Sequence, residues 1–274
     1  MMNLEILLSS KSYKIFLDDP IDISIPLIFN GDQPNFFGTP PADSKLYQGN
    51  GFIGDTQQGG SCNVKQYTLI PHCNGTHTEC VGHIVNQEIS IQNILEDAFI
   101  PATLITVNSE KGAATKESYI PEKQNEDLMI TEKEIKSALG NRNKDFLKGL
   151  IIRTQPNDIS KMRRNYNQNP APYFSLEAMQ YIVNLGVTHL LVDIPSVDRA
   201  NDEGKMSFHH IYWGVEMGTK NINENNSSKK TITEMIYVPD SVSDGYYLLN
   251  IQIPSFVTDA APSRPLLFKI QELK

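Results

Sequence analysis

Short apolar segments of strand length recur along the chain, and turn-forming residues separate them. Their enrichment in β-branched and aromatic residues predicts strands rather than helices. The six clearest segments are 13–17, 102–107, 149–154, 189–194, 246–253 and 265–270. We therefore expect strands to dominate the fold.

Two segments have the periodicity and the end signals of helices. The first, 131–139, opens with Thr131 and has Glu134 three residues later, which forms a capping box. The second, 175–185, opens with Ser175 and is followed by Gly186 and the strand segment 189–194, which makes an α/β unit.

The order of these elements limits the fold class. The last seventy residues or so contain strands that no helix follows, which argues against a purely doubly wound parallel sheet. We expect an α/β fold with a β-rich, mixed-sheet, barrel-like core and outer helices. The polar stretches 155–172 and 218–230 predict surface insertions in a single domain that spans 1–274.

Composition and charge narrow the range of functions. The 274 residues are 39% hydrophobic and 20% charged, as in ordinary globular proteins. Apolar runs long enough to span a membrane and a signal peptide are missing from the sequence, so we expect a cytoplasmic protein. The net charge of −8, with scattered basic residues, argues against a nucleic-acid partner and leaves a small molecule as the expected one. Three cysteines cannot form a disulfide scaffold.

The candidate chemistry lies in a histidine-rich segment, 71–83. Cys73, His77, Glu79 and His83 have the same parity, so they share a face if the backbone is extended. Residues two apart lie about 6.5–7 Å apart on a strand, which lets His77 and Glu79 reach one cation. Cys73 would need a bend, which Gly75 permits. Imidazole and carboxylate ligands suit zinc, manganese or iron, and a thiolate would favour zinc.

The same pattern has a plain structural interpretation. His72 and His77 would then be polar turn residues, and the cysteines would be small core residues. Parity by itself does not separate this interpretation from a metal site.

The run Gly75-Thr76-His77-x-Glu79-x-x-x-His83 resembles the signature of the cyclase family, which includes bacterial kynurenine formamidases and isatin hydrolases. Further matching stretches follow in the family's order, and they are 21–27, 150–154, 186–198, 208–211, 233–234 and 261–266. The resemblance implies the family's swivelling α/β fold, assembled as a homodimer or a higher homo-oligomer.

The resemblance also implies a role for each matching residue. His77, Glu79, His209 and Glu234 match metal ligands, with Glu79 at the position of the bridging acid, and His83 matches the general acid/base. The implied cofactor is a divalent metal, zinc first and manganese second, with one or two ions per site.

The chain departs from the family pattern at the first ligand and at the bridging acid. Cys73 stands where the family has its first histidine, and Glu79 replaces an aspartate. Three interpretations follow: Cys73 ligates as a thiolate, His72 takes its place, or the site holds one metal or none. In the second cluster, an extended backbone would turn His209 and His210 to opposite sides, so only one could face the site.

The expected function is hydrolysis of a small amide, N-formyl, N-acyl or cyclic, by a metal-activated water, as in arylformamidases. His83 would move the proton. Arg264 would bind a substrate carboxylate or form a structural ion pair, and Glu216 is an alternative to Glu234 as the downstream carboxylate. The alternative function is a family member that binds a small ligand without hydrolysing it.

Overall fold

The computed structural model describes residues 2–222 and 228–273. In chain order the strands of this part are β1 Asn3–Leu8, β2 Lys11–Phe16, β3 Ile21–Asp22, β4 Asp43–Leu46, β5 Gln48–Gly49, β6 Phe52–Ile53, β7 Lys65–Thr68, β8 His77–Glu79, β9 Ile100–Asn108, β10 Glu110–Lys111, β11 Leu128–Ile130, β12 Gly149–Gln155, β13 Tyr173–Phe174, β14 His189–Val192, β15 Thr231–Glu234, β16 Gly245–Gln252, β17 Ala260–Pro262 and β18 Arg264–Glu272. Each of the six segments predicted as strands coincides with one of them.

The α-helices are α1 Pro71–Asn74, α2 Ile91–Ile94, α3 Glu132–Leu139, α4 Leu176–Asn184 and α5 Ser207–Trp213. Short 3₁₀ helices lie at Thr56–Gln58, Val81–His83, Lys144–Phe146 and Ile159–Arg163. The two predicted helices are α3 and α4. Thr131 accepts a hydrogen bond from Glu134 N and Ser175 accepts one from Ala178 N, so both predicted N-caps form.

One large mixed sheet organises the molecule. Its strand order is β1-β2-β18-β16-β9-β12-β14-β15-β8-β17, with β3 paired to β18. The four central strands β9, β12, β14 and β15 are parallel, and β8 then runs antiparallel to β15. The expected α/β fold with a large mixed sheet is confirmed, but among the described residues no pairing joins the two ends of this order, so the barrel-like closure is not shown.

The central strands are buried on both faces. On β12, Leu150 and Ile152 belong to the cluster that packs under α3, α4 and α5, whereas Ile151 points to the apolar cluster on the other face. Buried parallel strands are apolar on both sides for this reason, which explains why these segments lack polar alternation.

The two predicted insertions differ in their environment. Segment 155–172 does not lie wholly on the surface, because Lys161 is buried and its Nζ lies 2.8 Å from Asp193 Oδ2. Tyr166 in the same segment is buried as well. Segment 218–230 lies partly outside the described residues. Within the described part of the chain, no helix has the length and apolar character needed to cross a membrane.

Candidate metal centre

The centre of the site forms where β8 meets β15. Their antiparallel register pairs His77 with Glu234 and Glu79 with Ile232. His77 and Glu79 are two residues apart on a strand, so both side chains project from the same face, as the parity of the sequence predicted. His77 Nε2 lies 3.4 Å from Glu234 Oε2, and Glu234 Oε1 accepts a hydrogen bond from Val197 N.

The segment before β8 is helical, not extended. Pro71 opens the single turn α1, and the chain bends at Gly75 into β8. Successive residues of a helix point about 100° apart, so the predicted alignment of Cys73 with His77 and Glu79 is lost. His72 is turned to the site instead, with its Nδ1 2.9 Å from Glu79 Oε2.

Cys73 lies in the wall of the cleft beside this cluster. Among the described residues it belongs to none of the groups whose potential ligand atoms lie within 4.8 Å of one another. Burial raises the pKa of its thiol, and the nearby charge of Glu234 raises that pKa further. The structure therefore brings His72, and not Cys73, to the carboxylate of Glu79.

His209 reaches Glu79 from α5, so the backbone of residues 208–211 is helical and not extended. The helix turns His209 inward, with Nε2 3.0 Å from Glu79 Oε1 and Nδ1 2.5 Å from Asp198 Oδ2. His210 is also buried, but its Nδ1 lies 3.2 Å from the carbonyl oxygen of Val215. Only His209 of this pair contacts the carboxylate cluster.

Glu79 is the common partner of three histidines. Its carboxylate is buried and contacts His72, His209 and His83, whose Nε2 lies 3.9 Å from Glu79 Oε2. Burial by itself would raise the pKa of Glu79, but the charges of His83 and His209 hold it well below its ordinary value. Conversely, burial would lower the pKa of His209, and Glu79 and Asp198 raise it well above its ordinary value.

Two buried atoms at this centre form no hydrogen bond of good geometry among the described residues: His77 Nε2, which lies 3.4 Å from Glu234 Oε2, and Glu79 Oε2, which lies 2.9 Å from His72 Nδ1. His77 Nδ1–H donates to Gly75 O at 2.9 Å, which leaves the Nε2 lone pair free. Asp198 fixes His209 in the same way. Metal-binding histidines are held in this manner, with the second ring nitrogen bound to a carbonyl or carboxylate. A divalent cation would satisfy both atoms, so the residues fit a metal.

Among the described residues, His72, His83 and Asp259 form one group of potential ligands, and two further groups share Glu79. One contains His72, His77 and Glu79, and the other contains Glu79, His83 and His209, with ligand atoms within 4.8 Å of one another in each. The separations between neighbouring nitrogen and oxygen atoms, 2.9–3.9 Å, bracket the edge of about 3.3 Å expected for a tetrahedral zinc site. The arrangement can therefore hold one ion, or two ions bridged by Glu79.

The cluster lies in a cleft of about 680 Å³. His83, from the 3₁₀ turn Val81–His83, is about a quarter exposed and stacks on His72 with ring centroids 4.0 Å apart. Phe36 and Phe37 form an aromatic edge of the same cleft. His83 thus lies between the buried carboxylate and the space open to a small molecule.

Of the three remaining predicted residues, one lies at the site and two do not. Glu234 is at the centre, whereas the alternative Glu216 is exposed and outside the cleft lining. Arg264 is not brought to the site, because its Nε pairs with Asp22 Oδ2 at 2.7 Å and its side chain is 63% exposed. Arg264 thus forms the structural ion pair that was the expected alternative to substrate binding.

Sequence reasoning missed two carboxylates that contact the cluster. Asp198 forms a hydrogen bond with His209 Nδ1, and it is the last residue of the matching stretch 186–198. Asp259 Oδ2 lies 2.9 Å from His72 Nε2 and 3.4 Å from His83 Nδ1, and it stands two residues before the matching stretch 261–266. Their position beside family-like stretches was the only signal in the sequence. Burial would lower the pKa of His72, but Asp259 and Glu79 raise it to about 10.

Comparison with known proteins gives a family and a fold. The Cyclase family model matches residues 21–199, more than half of the chain. A predicted metal-dependent hydrolase from Bacillus stearothermophilus superposes with a TM-score of 0.59 at 16% identity, over 91% of this chain and 98% of its own. No curated protein matches the chain.

Two isatin hydrolases have the same fold at similarly low sequence identity. Isatin hydrolase A from Labrenzia aggregata, bound to benzyl benzoate, has a TM-score of 0.59 at 13% identity over 91% of this chain and 93% of its own. Isatin hydrolase A from Ralstonia solanacearum has a TM-score of 0.58 at 12% identity, over 91% of each chain.

Proposed function

This chain belongs to the cyclase family, and from that premise we propose that it is a metal-dependent hydrolase of a small amide. The observation that carries the proposal is the pair of buried atoms His77 Nε2 and Glu79 Oε2, which approach other potential ligand atoms without forming a hydrogen bond of good geometry. Both face other potential ligands, and the far nitrogens of His77 and His209 are already bound to Gly75 O and Asp198. Histidine rings oriented in this way by a carbonyl or a carboxylate are typical of metal-binding sites.

We assign the metal to the groups that share Glu79. His72, His77 and Glu79 would hold one ion, and Glu79 with His209 would hold a second, if two are bound. Glu234 Oε2 lies 3.4 Å from His77 Nε2 and could add a ligand to the ion that His77 holds. Imidazole and carboxylate donors without a thiolate suit both zinc and manganese. When bound, the cation would acidify a water molecule and polarise a carbonyl oxygen.

The residues around the metal position would handle the proton. His83 Nε2 is 3.9 Å from Glu79 Oε2, and its ring borders the open cleft. It is therefore placed to accept a proton from the attacking water and to return it to the leaving nitrogen of the amide. Glu79, held by His72 and His209, keeps its orientation while this proton moves.

The cleft and the similar structures support a small amide as substrate. A volume of about 680 Å³ is within the range that small-molecule sites occupy. Phe36 and Phe37 offer an aromatic surface beside the cluster. Isatin hydrolases are among the similar structures. N-formyl and N-acyl aromatic amines and cyclic amides such as isatin are therefore the substrates to test.

The test combines metal content with hydrolysis. Protein purified without chelator and reconstituted with zinc or manganese should contain one or two equivalents of metal and hydrolyse at least one of these amides. His72→Ala and His77→Ala should each reduce both properties. Cys73→Ala is the matched control and should retain the metal, because its side chain is outside both ligand groups. A wild-type protein that takes up no metal under any condition would refute the proposal.

One observation favours the alternative of a binding protein without hydrolysis. His72 lies between Glu79 and Asp259, so an imidazolium there neutralises both carboxylates without a metal. In that case a small ligand should raise the melting temperature whether or not a chelator is present. Under the hydrolase proposal, chelator should abolish both the amide hydrolysis and the stabilisation that metal provides.

A further inference from the structure

Asp259 occupies a fixed position at the edge of the cluster. It precedes β17, the strand that pairs with β8, and its carbonyl oxygen accepts a hydrogen bond from Cys80 N at 3.0 Å. On its N-terminal side, Thr258 O accepts from Ile91 N at 2.8 Å. These backbone bonds tie Asp259 to both ends of the segment that carries His83.

A single oxygen of Asp259 serves two histidines. Its Oδ2 lies 2.9 Å from His72 Nε2 in hydrogen-bonding geometry, and 3.4 Å from His83 Nδ1. The two rings are stacked, with centroids 4.0 Å apart and planes 23° apart. The carboxylate therefore touches the outer nitrogen of each ring, while the inner nitrogens, His72 Nδ1 and His83 Nε2, both face Glu79.

We propose that Asp259 is a positioning residue that fixes the tautomers of His72 and His83 together. This inference rests on the function proposed above. When Nε2–H of His72 donates to Asp259, its Nδ1 lone pair is directed to the metal position. When Nδ1–H of His83 points to the same oxygen, its Nε2 is left free to accept a proton from water.

The arrangement also accounts for the departure from the family pattern. The first ligand moves from position 73 to His72, which approaches Glu79 from the helical turn α1. A ligand on a new backbone position needs its own orienting partner, and Asp259 supplies it from another strand. Because the same oxygen contacts His83, the metal ligand and the proton-transfer residue are positioned by one group.

The test compares Asp259→Asn with a matched aspartate–histidine pair outside the cleft. Asp97 Oδ2 lies 3.0 Å from His189 Nε2, so Asp97→Asn removes a similar contact away from the metal centre. Zinc and manganese affinities are measured by competition with a chromophoric chelator, and kcat and KM by amide hydrolysis. Asp259→Asn should weaken metal binding by about 10- to 100-fold. It should also lower kcat at saturating metal with little change in KM, whereas Asp97→Asn should change neither.

A second variant separates positioning from a general structural role. The side chain of Asp259 is 39% exposed, so the space left in Asp259→Ala is open to solution. Formate should then restore part of kcat in Asp259→Ala. It should have no such effect on wild type or on Asp97→Ala.

Three results would overturn the inference. Asp259→Asn could bind metal and turn over as wild type does, which would leave Asp259 without a positioning role. It could lose one whole equivalent of metal while the other sites keep their affinity, which would make His72, His83 and Asp259 a cation site of their own. Finally, wild type could bind no metal at all, and then the proposed function fails first and this inference with it.

Discussion

The most informative single substitution at the centre is Asp198→Asn, because it changes one charge and almost no volume. The Asp198 carboxylate contacts His209 Nδ1 at 2.5 Å, and it accepts from Tyr119 Oη at 2.7 Å and from Phe208 N at 2.7 Å. In the variant, the amide oxygen can keep the last two hydrogen bonds. The amide nitrogen then faces both His209 Nδ1 and the backbone N–H of His209, which lies 3.3 Å from Oδ2 in wild type, so a donor meets a donor at each.

The size of the effect follows from the tautomer of His209. To accept from the new amide, His209 must move its proton to Nε2, the atom that faces Glu79 Oε1 at 3.0 Å. The lone pair that would bind the metal is then lost. Loss of such an orienting carboxylate typically weakens metal binding by about 10- to 100-fold. That factor corresponds to about 1.4–2.7 kcal/mol of binding free energy.

Metal affinity is measured by chelator competition on wild type, Asp198→Asn and Tyr119→Phe. Tyr119→Phe is the matched control, because it removes a hydrogen bond from the same carboxylate and leaves the contact with His209 intact. It should lower the free energy of unfolding by about 1 kcal/mol and keep metal affinity within about threefold of wild type. If Asp198→Asn binds zinc as tightly as wild type while folded, the assignment of His209 as a ligand is wrong.

Three further predictions concern residues outside the centre. Lys161→Met leaves Asp193 buried without its partner and should lower the free energy of unfolding by about 3–5 kcal/mol in urea titrations; a change below about 1 kcal/mol would contradict the buried ion pair. Burial lowers the pKa of His189 below 6.5. At mildly acidic pH its imidazole is therefore protonated in the unfolded chain and still neutral in the folded chain. Stability should therefore fall as pH drops below 6.5, and His189→Gln should reduce this slope between pH 7.5 and 5.5. Arg264→Ala should change kcat/KM less than about twofold, because the Arg264 side chain pairs with Asp22 and does not reach the site. The exposed ion pair should contribute only about 0–1 kcal/mol to the free energy of unfolding. A tenfold loss of kcat/KM would place Arg264 at the substrate after all.

Local signals in the sequence were sufficient for six strands of the large sheet and for the two longest α-helices of the described residues. Segment 149–154 has apolar residues at three consecutive positions, Leu150, Ile151 and Ile152, because β12 is buried on both faces. Thr131 and Ser175 mark helix starts through hydrogen bonds within three residues. Closure of the sheet has no such local signal, because it depends on whether β1 and β17, far apart in the chain, find partners. The sequence therefore predicted strands of the sheet but not that the two ends of the sheet stay unpaired with each other among the described residues.

The site shows where local patterns lose their predictive power. Parity correctly joined His77 to Glu79, since β8 is extended, but it does not apply at α1 and α5, where the backbone is helical. At α1 a signal existed, because Pro71 is a favourable first residue of a helix. At α5 no adjacent residue caps the helix, and its aromatic-rich sequence is typical of a strand.

The cap of α5 comes from Asp198, which accepts from the backbone of Phe208 and His209 from ten and eleven residues away. The same carboxylate that starts this helix also holds the ring of His209. Asp198 therefore stabilises both the helical backbone that brings His209 to Glu79 and the tautomer that leaves a lone pair on His209 Nε2. A variant at Asp198 should for that reason lose metal affinity and helix stability together, whereas a variant at Asp259 should lose metal affinity with the helix intact.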